Sequence, residues 1–150
     1  MDMAIDRYLF KAKRIDGEWV VGYYFCMKHN DERKHLHHFI IPLDIDLSKG
    51  RTIDQIQVEV DPSTICQCTG AHDKNGKLIW ENDILVGHLD DNFPEDTTYT
   101  MVVWHNNGFC TKKHGSEYVL ALDEFDQEHF EVCGNWFDNP ELLEVEYGRE

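Results

Sequence analysis

His72, Asp73, Glu81 and Asp83 lie close together in the middle of a 150-residue chain. Around one hairpin, side chains of these types could hold a divalent metal and activate water for hydrolysis, or act as acid and base. The same residues admit a structural account. Asp73 would close its own turn through an Asx-type hydrogen bond, while Glu81 and Asp83 fasten the bend after the return strand. That account is simpler, so no catalytic residue is assigned, and a metal-assisted hydrolase at the central hairpin is kept as the alternative. Asp73-Lys74-Asn75-Gly76 also has the outline of a calcium loop. With Gly76 at its sixth position, however, the first and twelfth positions fall on Ala71 and Asn82, and both end ligands are missing.

Two further groups have metal-ligating chemistry. His35, His37 and His38 crowd together with His29 upstream. On a strand, His35 and His37 would share a face and His38 would point away, so three ligands do not converge. Cys66 and Cys68 are one residue apart, without the usual two-residue spacer or a second pair, so no zinc ribbon is written here. With Cys26, Cys110 and Cys133 they make five cysteines, an odd number at irregular spacing. Reduced, mostly buried thiols are expected, with no metal and no cofactor. No Gly-rich phosphate loop, nucleophile elbow or zinc-protease helix is present.

The formal net charge is −15. Residues 1–60 carry ten acidic and nine basic side chains, and residues 61–150 carry nineteen and five. An acidic second half repels phosphate backbones, so direct nucleic-acid binding is not expected. Hydrophobic residues make up 41% of the chain, too many for a disordered segment. No apolar run approaches the roughly 20 residues of a membrane span, and Asp2 and Asp6 replace the basic start of a signal peptide. No membrane association and a cytoplasmic location are expected.

The elements that must position these groups read as short strands. Asp16-Gly17 turns the basic segment Tyr8–Arg14 into the strand Trp19–Cys26. Lys28–Lys34 reads as a loop, Leu36–Ile41 as a strand, and Leu43–Gly50 as a loop or single helical turn. Gln55–Val60 alternates polar and apolar residues as a half-buried strand does. Asp61-Pro62-Ser63 then breaks the chain, giving a β-rich part at 1–60 and a second part at 61–150. Asn75-Gly76 predicts a type I′ hairpin between Cys66 and Ile84. Strands are expected at Ile84–His88, Thr98–Trp104, Phe109–Thr111, Tyr118–Leu122 and His129–Cys133, with an acidic loop at Asp90–Asp96 and a turn at Asn106–Gly108. Such a series indicates a small barrel or a strongly bent sheet. Asn139 would cap a short helix, Pro140–Glu144, whose Leu142 and Leu143 plug one end.

Thr69-Gly70, Asp73-Lys74-Asn75-Gly76-Lys77, Ile79-Trp80-Glu81, Asp83-Ile84 and Gly134-Asn135-Trp136-Phe137-Asp138-Asn139-Pro140-Glu141-Leu142-Leu143 together resemble the YopX-like family of bacteriophages and prophages. Leu9–Arg14, Gly17–Tyr23 and Val60–Gln67 are similar to its long form. Asn82 stands where the family has Gly, a position Asn can fill in the left-handed region. Ala71 replaces Leu, and Cys66-Gln67-Cys68 replaces Gly-Gln-aromatic. The resemblance implies a mainly β fold with an SH3-type barrel in the second part, and it carries over no catalytic residues. Thr69, Gly70, Asp73, Asn75, Gly76, Glu81, Asp83, Gly134, Asn135, Asn139 and Pro140 are then turn and motif residues, and Trp80, Trp104, Trp136 and Phe137 are candidates for binding. The expected function is a non-catalytic interaction module of the host cytoplasm whose partner is an unknown phage or host protein. A homo-oligomer is compatible with it. A variant is an acidic decoy occupying the basic surface of a nucleic-acid-binding host factor.

Overall fold

The structure, a computed structural model, describes residues 6–28, 35–90 and 92–144. His29 and most of the 28–34 loop therefore lie outside the described residues. The chain divides into two compact units, Met1–Cys68 and Thr69–Glu150.

In the first unit β1 (Phe10–Lys13), β2 (Trp19–Lys28), β3 (Leu36–Pro42), β4 (Val58–Glu59) and the start of β5 (Cys66–His72) lie in the order β4-β3-β2-β1-β5. All pairings between these strands are antiparallel. Gly17 adopts φ 90° in the first hairpin, and Asp16 Oδ1 accepts the Glu18 N–H at 3.0 Å. The local sequence supplies what that turn needs. Ala12, Ile40 and Val60 form the core, flanked by Phe10, Val20, Tyr24, Val58 and Ile65. Cys66 and Cys68 are buried on one face of β5, as their spacing predicts.

One expected strand is largely replaced. Instead of a strand over Gln55–Val60, a short helix α1 (Ile53–Ile56) precedes the two-residue β4. The Gln55 side chain turns back so that its Oε1 accepts the Thr52 N–H at 2.8 Å. Reciprocal closure of this kind favours a helical start. Ile56 and Val60 are nevertheless both buried, so the apolar spacing reports burial rather than strand.

The second unit contains the end of β5, then β6 (Leu78–Trp80), β7 (Asp83–His88), β8 (Thr97–His105), β9 (Gly108–Lys113), β10 (Val119–Ala121), helix α2 (Glu124–His129), β11 (Phe130–Asn135) and helix α3 (Glu141–Glu144). Its five-stranded antiparallel sheet runs β10-β9-β8-β7-β11, with β10 and β11 as edges. The core is Ile79, Leu85, Val102 and Phe130, with Ala71, Phe109, Leu122 and Val132 packed around it. On the opposite sheet face α3 packs against β8, and Leu143 is 2% exposed there. This two-sided burial explains the apolar residues on both faces of Thr98–Trp104.

Helix α2 was not expected. Asp123 Oδ1 accepts the Asp126 N–H at 3.2 Å, and Asp126 Oδ2 accepts the Asp123 N–H at 3.1 Å. Burial, together with the neighbouring Asp123 charge and hydrogen bond, pushes the Asp126 carboxyl up to about 6. An unfolded Asp titrates near ~3.9. The folded state therefore binds more protons between these values, and this group's contribution falls as pH rises from about 4 to about 6. Asp126→Asn keeps an acceptor for the cap and removes the charge. It is expected to stabilise the protein by about 1 kcal/mol at pH 7, after discount for solvent screening, and to leave it unchanged at pH 4. Urea denaturation at the two pH values reads this directly.

Candidate functional site

The central hairpin differs from the type I′ expectation. Asn82 and Asn106 are the positive-φ non-glycine residues among those described, so Asn75 is not left-handed, whereas Gly76 has φ 83°. The Gly76 N–H donates to Asp73 O at 2.9 Å, and the Asp73 N–H donates to Lys77 O at 2.8 Å. This is the longer loop in which one glycine takes the left-handed position. Asp73 selects it, because its Oδ1 accepts the N–H groups of both Asn75 and Lys77 at 2.9 Å. Its Oδ2 accepts the Val132 N–H at 2.8 Å. Both carboxylate oxygens thus hold backbone, and they join the hairpin to β11. Lys74 N–H to Phe130 O at 3.0 Å and Asn75 Nδ2 to Glu131 Oε2 at 2.8 Å complete the seam. Burial alone would raise the Asp73 carboxyl. The backbone donors of Val132, Lys77 and Asn75, with the Lys77 charge, outweigh it and hold the group below its ordinary value.

Asp83 is 2% exposed, and its Oδ2 accepts the Trp80 N–H at 2.8 Å. It closes the bend at Asn82, whose φ of 70° is the left-handed geometry expected there. Thr69 Oγ1 donates to Ile79 O at 2.7 Å and accepts the Ala71 N–H at 3.1 Å, beside Gly70 at φ 81°. Glu81 is half-buried in the same bend. Among the described residues, no group of three or more His, Cys, Asp and Glu is arranged to hold a metal. The histidines separate as their spacing predicts: His38 Nδ1 is 2.7 Å from Tyr24 Oη, while His37 Nδ1 is 3.3 Å from Glu59 Oε1. His37 and Glu59 line a pocket of about 420 Å³ with Met27, Lys28, Phe39, Asp54 and Gln57.

The thiols are less buried than expected, since Cys26 and Cys133 are exposed. Cys133 sits where the β11 register shifts between Val132 and Gly134, which turns it off the packed face. Its Sγ donates to Ile84 O at 3.4 Å. Although the residue as a whole is exposed, its Sγ lies partly covered beside Ile84 O, and this partial desolvation first, then the charges of Glu131 and Asp83, push the thiol up to about 11. It stays protonated at neutral pH, the wrong state for a nucleophile.

The terminal motif forms a second rigid turn. Asn135 Oδ1 accepts the N–H groups of Phe137 at 2.9 Å and Asp138 at 3.0 Å, and the Trp136 N–H donates to Asn82 O at 2.9 Å. The Asn139 side chain turns back to accept the Asn135 N–H at 3.2 Å, and the helix it was expected to cap begins at Glu141, after Pro140. Gly134 is required by this closure, since a Cβ there would lie 2.5 Å from Asn139 Oδ1.

The four aromatic candidates do not gather into one surface. Trp80 is 9% exposed and belongs to the packed interior, so its ring is not offered to a partner. Phe137 is half-buried within the turn. Trp104 is 51% exposed and packs edge-on against Phe109 at 4.9 Å between centroids. Trp136 is 40% exposed and borders a pocket of about 200 Å³ lined also by Met101, Lys112, Lys113, His114, Gly115 and Leu143. Sequence reasoning placed Leu143 as an end plug but missed Met101 and the Lys112–Gly115 stretch, because with Trp136 the lining comes from four separate segments.

No helix among the described residues is long and apolar enough to cross a membrane. A solved chain described as protein EF1440 from Enterococcus faecalis is similar at TM-score 0.52 and 23% identity, covering 89% of this chain and 96% of that one. At that identity the likeness shows the fold alone. No curated protein matches the chain. The family model described as YopX protein matches residues 10–144, which take in elements β1 to α3, and the chain belongs to the YopX family.

Proposed function

We propose that this YopX-family chain is a phage- or prophage-encoded accessory protein that works in the host cytoplasm as a non-catalytic interaction module. One observation carries the reading: Trp136 is fixed by backbone on a rigid turn yet remains 40% exposed beside a pocket. A large ring carried on backbone that is already fixed, and left open, is the usual form of an interface anchor, because little backbone entropy is lost on contact. The alternative of hydrolysis at the central hairpin has less support, since Asp73 and Asp83 hold backbone N–H groups. We extend the SH3-type reading to the second unit. The order β10-β9-β8-β7-β11, in which the sheet's first strand in sequence, β7, lies between its second, β8, and its last, β11, supports a bent barrel of that type.

The test is affinity capture from infected-host lysate with tagged wild type, Trp104→Ala and Trp136→Ala, eluted in steps of rising salt. A protein enriched on wild type and lost on folded Trp136→Ala is the expected result. Equal recovery on all three baits contradicts the reading.

A further inference from the structure

Of the twenty-three charged side chains in Thr69–Glu150, eighteen are acidic and five are basic, namely Lys74, Lys77, Lys112, Lys113 and Arg149. Two of these five, Lys112 and Lys113, line the Trp136 pocket, and His114 follows them. No acidic residue is among its described lining residues. A unit that is acidic nearly everywhere thus places basic side chains beside its half-open tryptophan. Register explains how. Ile84, Met101 and Lys112 are paired in one row across β7, β8 and β9, on the face opposite Leu85 and Val102. Leu143 closes the floor at 2% exposure, and Trp136 stands at the rim, 40% exposed. Lys113, His114 and Gly115 carry the wall into the turn after β9, where the Ser116 N–H donates to Lys113 O at 3.0 Å.

We infer that the Trp136 pocket receives an acidic segment of a partner protein, with one apolar side chain seated on Met101, Leu143 and Trp136 and its carboxylates facing Lys112 and Lys113. This rests on the interaction-module reading and names its partner's chemistry. A volume of about 200 Å³ suits one large side chain rather than a cofactor-sized ligand. The apolar anchor supplies contact area, and the lysines select the sign of what surrounds it. The acidic remainder of the unit repels a poorly aligned acidic chain, so only a segment that brings its charges to this spot is accepted. Basic segments, which the net charge of −15 would otherwise favour, are disfavoured at this place.

The experiment titrates full-length protein into a fluorescein-labelled decapeptide of alternating Asp and Glu with one central Leu-Phe pair, read by anisotropy. Its counterpart has Lys and Arg at the charged positions. Wild type is expected to bind the acidic probe more tightly than the basic one, and rising salt should weaken it. Lys112→Glu with Lys113→Glu should weaken the acidic probe at least about tenfold, and the milder Lys112→Gln with Lys113→Gln should fall between. Near-UV circular dichroism confirms that each variant is folded. Preference for the basic probe, absence of binding to the acidic one, or an acidic affinity unchanged by both lysine pairs would overturn the inference. In the last case, loss of probe on Trp136→Ala would leave the module reading standing. Recovery of the lysate partner on Trp136→Ala would overturn that reading separately.

Discussion

Asp73→Ala is expected to lower the stability of the second unit by about 3 to 5 kcal/mol, a large part of what a domain of this size possesses. The substitution leaves three backbone N–H groups, those of Asn75, Lys77 and Val132, without their acceptor. A lost partner at a buried donor costs about 1 to 3 kcal/mol, and water reaching the loop recovers part of it. The change also removes the tie between the hairpin and β11, which carries the core residue Phe130. Asp73→Asn keeps one acceptor oxygen and should lose about half as much. Because the folded Asp73 carboxyl is held below its ordinary value, its contribution is fully present above about pH 4 and is lost as pH falls through the folded value. The gap between wild type and Asp73→Asn should therefore narrow below pH 4. Urea denaturation across pH reads both the size and the direction, and a gap independent of pH would assign the loss to packing instead.

Gly22→Ala should be comparably severe in the first unit, at about 3 kcal/mol or more. Gly22 is buried on β2 opposite Pro42, and a Cβ there would overlap the carbonyl oxygen of Ile41 and lie 2.7 Å from its carbonyl carbon. Those are backbone atoms, so no rotamer change relieves the contact, and β2 and β3 must part. Gly108→Ala is the control. Nothing lies within 4 Å of its added Cβ, and a change within about 0.5 kcal/mol is expected. Thermal unfolding of the two variants side by side distinguishes a local steric effect from a general intolerance of strand glycine.

Nothing in the composition of β2 marks Gly22 as indispensable, because the obstacle is a carbonyl almost twenty residues away. That contrast runs through the molecule. The turns at Asp16-Gly17, Asn82 and Asn106–Gly108 were legible, since left-handed geometry and Asx hydrogen bonds are local demands met by local residues. The role of Asp73 in its own turn was legible for the same reason, but its bond to Val132, fifty-nine residues on, was not. Gln55 and Asp123 misled in a related way. Their side chains close helix starts whose signal is weaker than the apolar alternation beside it. Trp80 and Trp136 look alike as exposed-aromatic candidates, yet strand packing buries one and a backbone-fixed turn holds the other half-open. The lysines of the Trp136 pocket were hidden because the acidic excess of the second half masks a local exception.

The central claim is a division of labour: hairpin carboxylates hold the fold, and Trp136 makes the contact. Its most direct test measures melting temperature and lysate-partner recovery for Trp136→Ala and Asp73→Asn in parallel, with capture carried out well below both transitions. Trp136→Ala is predicted to melt within about 3 °C of wild type and lose the partner, while Asp73→Asn melts several degrees lower and still retains it. The reverse pattern, with the partner held by Trp136→Ala and lost by folded Asp73→Asn, would contradict the account and return the hairpin carboxylates to the functional site.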